Sequence, residues 1–259
     1  MKPLMVDIFC GLGGWAEGGL AEGYYVVGFD IERHVYGEHH YPGQLVVQDV
    51  LTLHGSQFRD AALIVASPPC QAYSYRAMPW SRAKALPPPD NTLFDACFRI
   101  QREASEAAGR HVPLIVENVR GAQKWVGRAR WNYGSFYLWG DVPALMPMTL
   151  KTHHKYAPEY TKVPGFRFDG SSRSFQSASV EVVKGIPYRT AGHWTNPAEH
   201  EGIKQGGTWW HDPNSASRTS SSKSPARKFA SAMIAKIPYP LARYIAATFK
   251  PDGRAEDAA

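Results

Sequence analysis

The chain has 259 residues, 44% of them hydrophobic, which is enough for one large α/β domain and a smaller insertion. No apolar run reaches the roughly 18 residues of a membrane span, and the N-terminal stretch lacks the basic-then-apolar pattern of a secretion signal. The net charge of +6 is compatible with a polyanionic partner but does not select one by itself.

Apolar strands and helical spacing alternate over the first half of the chain. In order, the pattern predicts a strand over 3–9, a helix over 15–21, strands over 24–29, 45–47 and 62–66, a helix over 92–108 and a strand over 113–116. This rhythm implies βαβ units and a mostly parallel sheet with helices on both faces. Glycine-rich or polar residues follow the strands, and ligands of such sheets bind beyond the carboxyl ends of the strands, so we expect one cleft to collect these residues.

The pattern changes after Asp141. Residues 141–222 are rich in Ser, Gly, Pro, Trp and His and have weak periodicity, whereas helical spacing returns from Pro225 to Phe249. We therefore predict a catalytic, cofactor-binding domain over 1–140, a separate region over 141–222, a C-terminal helical segment over 223–250 that returns to the first domain, and a tail over 251–259.

The first turn, Asp7-Ile-Phe-Cys-Gly-Leu-Gly-Gly14, allows close approach of a ligand to the backbone. Asp30 could hold a ribose diol, and Asp49 could accept a hydrogen bond from an adenine amino group; each could instead cap a loop. Carboxylates here would repel a phosphate, so an uncharged ribose with a cationic sulfonium fits this crevice better than a dinucleotide.

The segment Ser67-Pro-Pro-Cys-Gln71 presents a cysteine at a strand end. Two prolines stiffen the chain before Cys70 and fix where its sulfur points. The alternative, a buried structural thiol, is our interpretation of Cys10 and Cys97. The odd number of cysteines, their wide spacing and the absence of a Cys-x-x-Cys pair argue against a disulfide framework or zinc site and favour a reducing cytoplasm.

Glu117 ends a predicted buried strand, where a carboxylate is costly unless it has a partner or a function. Its acid could protonate or hydrogen-bond a ring nitrogen of a bound base.

The segments DIFCGLGG, FDIE, QDV, SPPCQAYS and ENV, in this order over residues 4–121, resemble the ordered motifs of the cytosine-carbon-5 DNA methyltransferases. The resemblance implies a Rossmann-like S-adenosylmethionine methyltransferase sheet plus a small irregular target-recognition region over 141–222. It also implies methyl transfer from S-adenosylmethionine to carbon 5 of cytosine in double-stranded DNA, on a base flipped out of the duplex.

Residue by residue, the resemblance makes Cys70 the nucleophile that adds to carbon 6, and Glu117 the group that binds the N3 and amino edge. Asn118 would hold the loop that carries Cys70, and Arg128 and Arg130 would support Cys70 and the base; the two arginines could instead bind phosphate or form a solvated turn. The implied cofactor contacts are Phe9, Gly11, Gly13, Asp30, Ile31, Asp49 and Pro69.

The sequence departs from the family pattern in two places. Val126 stands where a glutamine precedes the two arginines, and the spacing from ENV is short. Ile234 and Ala235 stand where the family has a C-terminal Gly-Asn pair, so a cofactor contact would have to come from elsewhere.

We expect region 141–222 to contact DNA phosphates and to insert aromatic side chains into a groove. The residues that suit this are Lys151, Lys155, Tyr156, Arg167, Arg173, Arg189, Trp194, Lys204, Trp209, Trp210 and Arg218. The histidines there lack metal-ligand spacing: His153, His154, His193, His200 and His211. The expected partner is double-stranded DNA, with no metal and no membrane, and we expect a cytoplasmic monomer.

Four other functions stay open. An exocyclic-amino methyltransferase would use a Ser-Pro-Pro turn like Ser67–Pro69 but has no need of ENV. A cytosine methyltransferase acting on RNA would keep Cys70 and Glu117. A non-catalytic DNA-binding relic and a nucleotide-binding oxidoreductase are the remaining alternatives.

Overall fold

The computed structural model describes residues 2–74, 87–146, 182–183, 186–187 and 225–251. Its strands are β1 (Leu4–Ile8), β2 (Tyr25–Asp30), β3 (Val35–Tyr36), β4 (His39–His40), β5 (Gln44–Val47), β6 (Ala61–Ala66), β7 (Leu114–Asn118), β8 (Trp131–Tyr133), β9 (Phe136–Gly140), β10 (Val182–Val183) and β11 (Ile186–Pro187). Its α-helices are α1 (Gly14–Ala21), α2 (Thr92–Ala108), α3 (Gln123–Val126), α4 (Pro225–Ala235) and α5 (Tyr239–Thr248).

Seven strands form one sheet in the order β5-β2-β1-β6-β7-β9-β8. The first five of these are parallel to one another, and β9 and β8 add an antiparallel hairpin at the edge. The chain runs outward from β1 to β2 and β5 and then returns to β6 on the other side of β1. This reversal is the topological switch point at which open α/β sheets bind ligands.

Alternate strand residues sort into two apolar layers, one on each face of the sheet, because successive side chains in a strand point to opposite sides. Met5, Leu63 and Val65 belong to the layer that also contains buried residues of α1 and α5. Val6 and Ile64 belong to the layer that contains the apolar stripe of α2. The predicted α/β architecture, a mostly parallel sheet with helices on both faces, is confirmed.

Helix α5 packs on α1 at a close backbone approach. A Cβ atom on Gly18 would lie 2.4 Å from the carbonyl carbon of Ala242, so only glycine permits this contact. Two ion pairs link α1 and the residue after it to α5 and the segment just before it. Lys236 lies 2.5 Å from Glu17, and Arg243 lies 2.6 Å from Glu22.

The β8–β9 hairpin was not predicted, although its sequence carries a hairpin pattern. Its strands are separated by Gly134 and Ser135, a two-residue loop of a type that favours a tight turn, and Gly134 has a φ of +59°. The helix predicted over 92–108 is confirmed to the residue as α2, and it ends where Gly109 adopts a left-handed conformation.

The chain divides into two compact units. One comprises Met1–Met148 and Ala235–Ala259, and the other Thr149–Ile234. Within the first unit, the C-terminal helix α5 packs on α1 of the sheet domain. The boundaries predicted at residues 140, 222 and 250 stay predictions. Most of region 141–222 lies outside the described residues, including every basic, aromatic and histidine residue predicted there to contact DNA or to lie at the surface.

Candidate active site

The polar segments predicted from the sequence meet at one edge of the sheet. The strand registers align Ile8 with Phe29 on one side and with Ala66 on the other, and Ala66 with Val116. The glycine-rich turn after β1, the Ser67–Cys70 turn after β6 and Glu117 at the end of β7 therefore follow aligned strand ends. Asp30 ends β2, and Asp49 follows β5.

The turn after β1 is built from unusual backbone conformations. Phe9 has a φ of +59°, which is rare for a residue with a side chain, and Gly11 and Gly13 have φ values of +50° and +76°. Strain of this kind persists only where the surroundings impose it, and it concentrates at binding sites. The N–H of Gly11 donates to Asp30 at 2.9 Å, so the carboxylate of β2 holds the turn of β1.

Asp30 is 9% exposed and ionised. Burial alone would raise its pKa, but hydrogen bonds from His34 and from the backbone N–H groups of Gly11 and Glu32 hold that pKa below its ordinary value. Asp49 is exposed and accepts from the N–H of Leu51 at 2.9 Å. Both aspartates thus have the loop-capping role that was one of the two sequence interpretations. Because a carboxylate has lone pairs for several donors, capping leaves the ligand role open.

The turn after β6 is held by side chains. The amide nitrogen of Asn118 donates to the carbonyl oxygen of Pro68 at 3.0 Å, and its oxygen accepts from the N–H of Val119 at 2.8 Å. Asn118 is fully buried. The geometry that the resemblance implied for Asn118, contact with the loop that carries Cys70, is present.

Three residues beyond Cys70, a second anchor fixes the chain. The hydroxyl of Tyr73 donates to Asn91 at 2.9 Å, and the amide of Asn91 donates to the carbonyl oxygen of Trp125 at 3.3 Å. Tyr73 is buried. Sequence reasoning missed Tyr73 and Asn91, because they are 18 positions apart and no local pattern pairs two residues at that separation.

The three cysteines differ in exposure. Cys10 and Cys97 are buried, and burial raises the pKa of each thiol far above its ordinary value. Cys70 is half-buried. Since a thiolate is the reactive form of cysteine, Cys10 and Cys97 have the buried, unreactive surroundings that were predicted for structural thiols, and Cys70 is the most exposed of the three.

A second buried carboxyl lies beneath the first turn. Asp7 is fully buried and accepts a hydrogen bond from the Tyr41 hydroxyl at 3.3 Å. Burial raises the pKa of Asp7 well above its ordinary value, and Tyr41 lowers it only in part. Asp7 belongs to the first motif, but no role was predicted for it.

Glu117 is 2% exposed and lies between β6 and β9. The chain after it carries four basic residues and no acidic one before Asp141: Arg120, Lys124, Arg128 and Arg130. All four are exposed. With the described residues, neither Arg128 nor Arg130 forms a hydrogen bond or ion pair through its guanidinium group.

This basic segment borders the candidate site. It leaves the sheet at Asn118 and rejoins it at Trp131, which is level with Glu117 because both pair with Leu138. The backbones of Glu117 and Trp131 are about 10 Å apart, because they lie on either side of β9 and neighbouring strands are separated by about 4.8 Å.

Among the residues described, no helix is long and apolar enough to cross a membrane.

Residues 4–128 match the family model described as C-5 cytosine-specific DNA methylase. The match covers slightly less than half of the chain and contains Cys70, Glu117 and Asn118, whereas Arg130 lies just beyond it. No curated protein sequence matches the chain.

Part of the chain aligns with several solved structures at low identity. A protein described as a DNA modification methyltransferase encoded within an E. coli prophage is 20% identical, with a TM-score of 0.34 over 48% of this chain and 34% of that chain. The S. pombe Dnmt2 methyltransferase is 16% identical, with a TM-score of 0.32 over 48% and 36%. An NAD-dependent NDP-hexosamine 5,6-dehydratase of tunicamycin biosynthesis is 18% identical, with a TM-score of 0.31 over 44% and 36%. The chain spans about a third of the length of these structures.

Proposed function

We propose that the protein methylates carbon 5 of cytosine in double-stranded DNA, with Cys70 as nucleophile and S-adenosylmethionine as methyl donor, because residues 4–128 match the family model of the C-5 cytosine-specific DNA methylases. One observation carries the proposal. The half-exposed Cys70 follows a turn that Asn118 holds by a 3.0 Å hydrogen bond, and Asn118 is the neighbour of the buried acid Glu117.

Cytosine carbon 5 is too weak a nucleophile to accept a methyl group directly, and covalent catalysis divides the reaction into easier steps. The Cys70 thiolate adds to carbon 6 of the ring, which makes carbon 5 nucleophilic. Glu117 binds the N3 and amino edge of the base and stabilises the negative charge that the addition creates. The target base must leave the duplex to reach a buried acid.

The residues at the first turn fit S-adenosylmethionine. A Cβ atom on Gly11 would have nothing within 4 Å, so the backbone there is open to a ligand. Ile31 is 71% exposed and offers apolar surface, and Asp30 is an ionised acceptor for ribose hydroxyls. Carboxylates favour a sulfonium cation over a pyrophosphate. The residues that would hold the cofactor are Phe9, Gly11, Gly13, Asp30, Ile31, Asp49 and Pro69.

Bound S-adenosylmethionine would supply an electrophilic methyl group to carbon 5 and would leave as the neutral thioether S-adenosylhomocysteine, which takes the electron pair of the broken carbon–sulfur bond. Water or a basic group then removes the proton of carbon 5. The electron pair of that C–H bond restores the double bond between carbons 5 and 6 and expels Cys70 as a thiolate, which returns the enzyme to its starting state.

The basic segment supports DNA as the substrate. Its exposed cations Arg120, Lys124, Arg128 and Arg130 border Glu117 without an acidic residue among them, which suits phosphates on either side of a flipped base. Each genuine phosphate contact releases counterions, so replacing one of these residues by Gln should lower the slope of log affinity against log salt by about one. Arg59→Gln is the control, because Arg59 is exposed at the opposite, amino-terminal end of β6. Equal slopes for all variants would remove this support.

The decisive experiment compares Cys70→Ala with Cys97→Ala. Nucleosides from treated DNA are analysed by mass spectrometry, and wild type should give 5-methylcytosine. Cys70→Ala should lower the rate by about 10⁴-fold or more, because the nucleophile is lost. Cys97→Ala should keep the rate, since its thiol is buried among apolar residues.

A 5-fluorocytosine target should trap a covalent complex with wild type, because no proton can leave carbon 5, and should trap none with Cys70→Ala. A methyl group on an exocyclic nitrogen, methylation confined to RNA, or an active Cys70→Ala protein would each contradict the proposal.

A further inference from the structure

A partly buried hydrogen bond joins the two turns of the candidate site. The indole N–H of Trp15 donates to the side-chain oxygen of Ser67 at 3.0 Å, across 52 residues of sequence. Trp15 is in the first turn of α1, directly after the glycine-rich turn, and is 2% exposed. Ser67 is the first residue after β6 and begins the turn that ends at Cys70.

Ser67 is held twice, each time to an element that flanks the glycine-rich turn. Its backbone N–H donates to the carbonyl oxygen of Ile8, the last residue of β1, at 3.1 Å. Its side chain accepts from Trp15 on α1. The glycine-rich turn connects β1 directly to α1, so Ser67 is fixed relative to both ends of that turn.

The position of Ser67 is transmitted to Cys70 through a stiff segment. Pro68 and Pro69 have fixed φ angles and restrict the residue before each of them. The carbonyl oxygen of Pro68 is held by Asn118, so little freedom is left between Ser67 and the sulfur. A small rotation at Ser67 would therefore move Cys70 rather than be absorbed along the way.

We propose that Trp15 and Ser67 are positioning residues that set the distance and angle between the nucleophile and the bound cofactor. The inference rests on the proposed function, in which the base is attached to Cys70 and the methyl donor lies on the glycine-rich turn. Two reactants held on two turns react at a rate that depends on their alignment. Loss of the bond should therefore slow catalysis while the binding of each reactant is kept.

The test uses Trp15→Phe, which removes the donor and keeps an aromatic ring in the core, and Ser67→Ala, which removes the acceptor. Each should lower kcat by about tenfold or more and leave the Kd for S-adenosylmethionine within about twofold. The double variant should be no slower than the single variants, because the same bond is lost. Ser67→Thr keeps a hydroxyl and should retain most of the activity.

The control is Tyr24→Phe, which removes a buried hydrogen bond on the same face of the sheet, from the Tyr24 hydroxyl to the carbonyl oxygen of Ala246 at 2.9 Å. It should lower the melting temperature without changing kcat at a temperature where the protein is folded. If Trp15→Phe and Ser67→Ala behave like Tyr24→Phe, or if their effects on kcat multiply in the double variant, the inference is wrong.

A readout that needs no methyl transfer separates this inference from the proposed function. Cys10 and Cys97 are buried, so iodoacetamide should alkylate Cys70 selectively, with Cys70→Ser as the blank. Trp15→Phe and Ser67→Ala should increase the alkylation rate by about threefold or more, because a loosened turn exposes the sulfur more often. Unchanged alkylation would show that the Trp15–Ser67 hydrogen bond does not position Cys70, even if the enzyme is active. If alkylation changes but the wild-type protein makes no 5-methylcytosine, the proposed function is wrong, and the role of the Trp15–Ser67 hydrogen bond in holding Cys70 is supported.

Discussion

The turns Phe9–Gly13 and Ser67–Cys70 follow the neighbouring parallel strands β1 and β6 but are held in different ways. The first turn takes its shape from backbone conformation, with Phe9, Gly11 and Gly13 at positive φ. The second contains two prolines, and side chains from distant elements bind it, namely Asn118 of β7 and Trp15 of α1.

Under the proposed function, the difference follows from what each turn presents. A turn that holds a cofactor must let it approach backbone N–H and carbonyl groups closely, which glycine permits at Gly11 and Gly13. A nucleophile must be presented as one side chain in one place, which requires anchors around it. We therefore expect the first turn to be sensitive to added atoms and the second to lost hydrogen bonds.

The largest effect is expected at Asn118. Asn118→Asp replaces the amide donor by an oxygen that faces the carbonyl of Pro68 in a fully buried position. We expect the free energy of unfolding to fall by about 2–4 kcal/mol, because the carbonyl oxygen of Pro68 loses its donor and the new carboxylate is buried beside it. We also expect methyl transfer to slow by about a hundredfold, because Cys70 is displaced. Urea unfolding and single-turnover kinetics measure the two effects.

Asn132→Asp is the matched control for that substitution. The amide of Asn132 also donates to a carbonyl oxygen, that of Gly134 at 3.0 Å, but it is exposed to solvent. Its replacement should change the free energy of unfolding by less than about 1 kcal/mol. Comparable losses for both variants would show that the Ser67–Cys70 turn does not depend on its buried anchor.

The next effect is expected for an added methyl group in the first turn. In Gly13→Ala the Cβ atom would lie 2.4 Å from Pro42 Cδ and 2.9 Å from Tyr41 Cδ2, at a φ of +76°. Backbone strain and overpacking together should lower the free energy of unfolding by about 2–4 kcal/mol in urea. Gly109→Ala isolates the strain, because its φ is +63° and nothing lies within 4 Å. If the two variants are equally stable, the contact with Tyr41 and Pro42 contributes nothing.

How far the sequence predicts this molecule depends on how local each feature is. Periodicity predicts β6 and α2, and it predicts that Asp30, Cys70 and Glu117 lie at or just beyond strand ends, because these patterns lie within a few residues. The Trp15–Ser67 and Asn118–Pro68 bonds join residues about 50 positions apart, and no local pattern specifies such a pair. For Asn118, the resemblance to a family supplied the long-range information that the residues could not.

The β8–β9 hairpin shows a different limit. Its Gly-Ser loop was readable, but the apolar and aromatic run of Phe136–Gly140 is equally compatible with several buried elements. The buried pair Asp7 and Tyr41 could not be inferred either, because a strand aspartate gives no local indication that it is fully enclosed.

The contributions of Asp7 and Asp30 to the free energy of unfolding depend on pH with opposite signs. Burial raises the pKa of Asp7 well above its ordinary value of 3.8, so the folded state binds the proton more tightly than the unfolded state. Its contribution is complete below pH 3.8 and decreases as the pH rises through the folded-state pKa, by at most about 1.4 kcal/mol per pH unit. The pKa of Asp30 is lowered, so its contribution is complete above pH 3.8 and is lost as the pH falls through its folded-state pKa.

Urea unfolding from acid to neutral pH measures both slopes. Relative to wild type, Asp7→Asn should gain stability as the pH rises, whereas Asp30→Asn should lose stability. Asp60→Asn is the control, since the side chain of Asp60 is 84% exposed. Parallel curves for Asp7→Asn and Asp60→Asn would mean that the buried carboxyl does not favour its protonated form.

The smallest effect on folding is expected at Gly11. A substitution there distinguishes a glycine that the fold requires from a glycine that leaves room for the cofactor. Gly11→Ala adds a methyl group at a φ of +50° with nothing within 4 Å, so its cost in stability should match that of Gly109→Ala, about 1 kcal/mol. If that open space is where the cofactor approaches the backbone, the methyl group occupies it, and the affinity for S-adenosylmethionine should fall by about tenfold or more. Isothermal calorimetry with the demethylated product, S-adenosylhomocysteine, measures this without turnover. Gly109→Ala should bind like wild type. Normal binding by Gly11→Ala would place the ligand elsewhere and leave the positive φ of this glycine as a property of the fold alone.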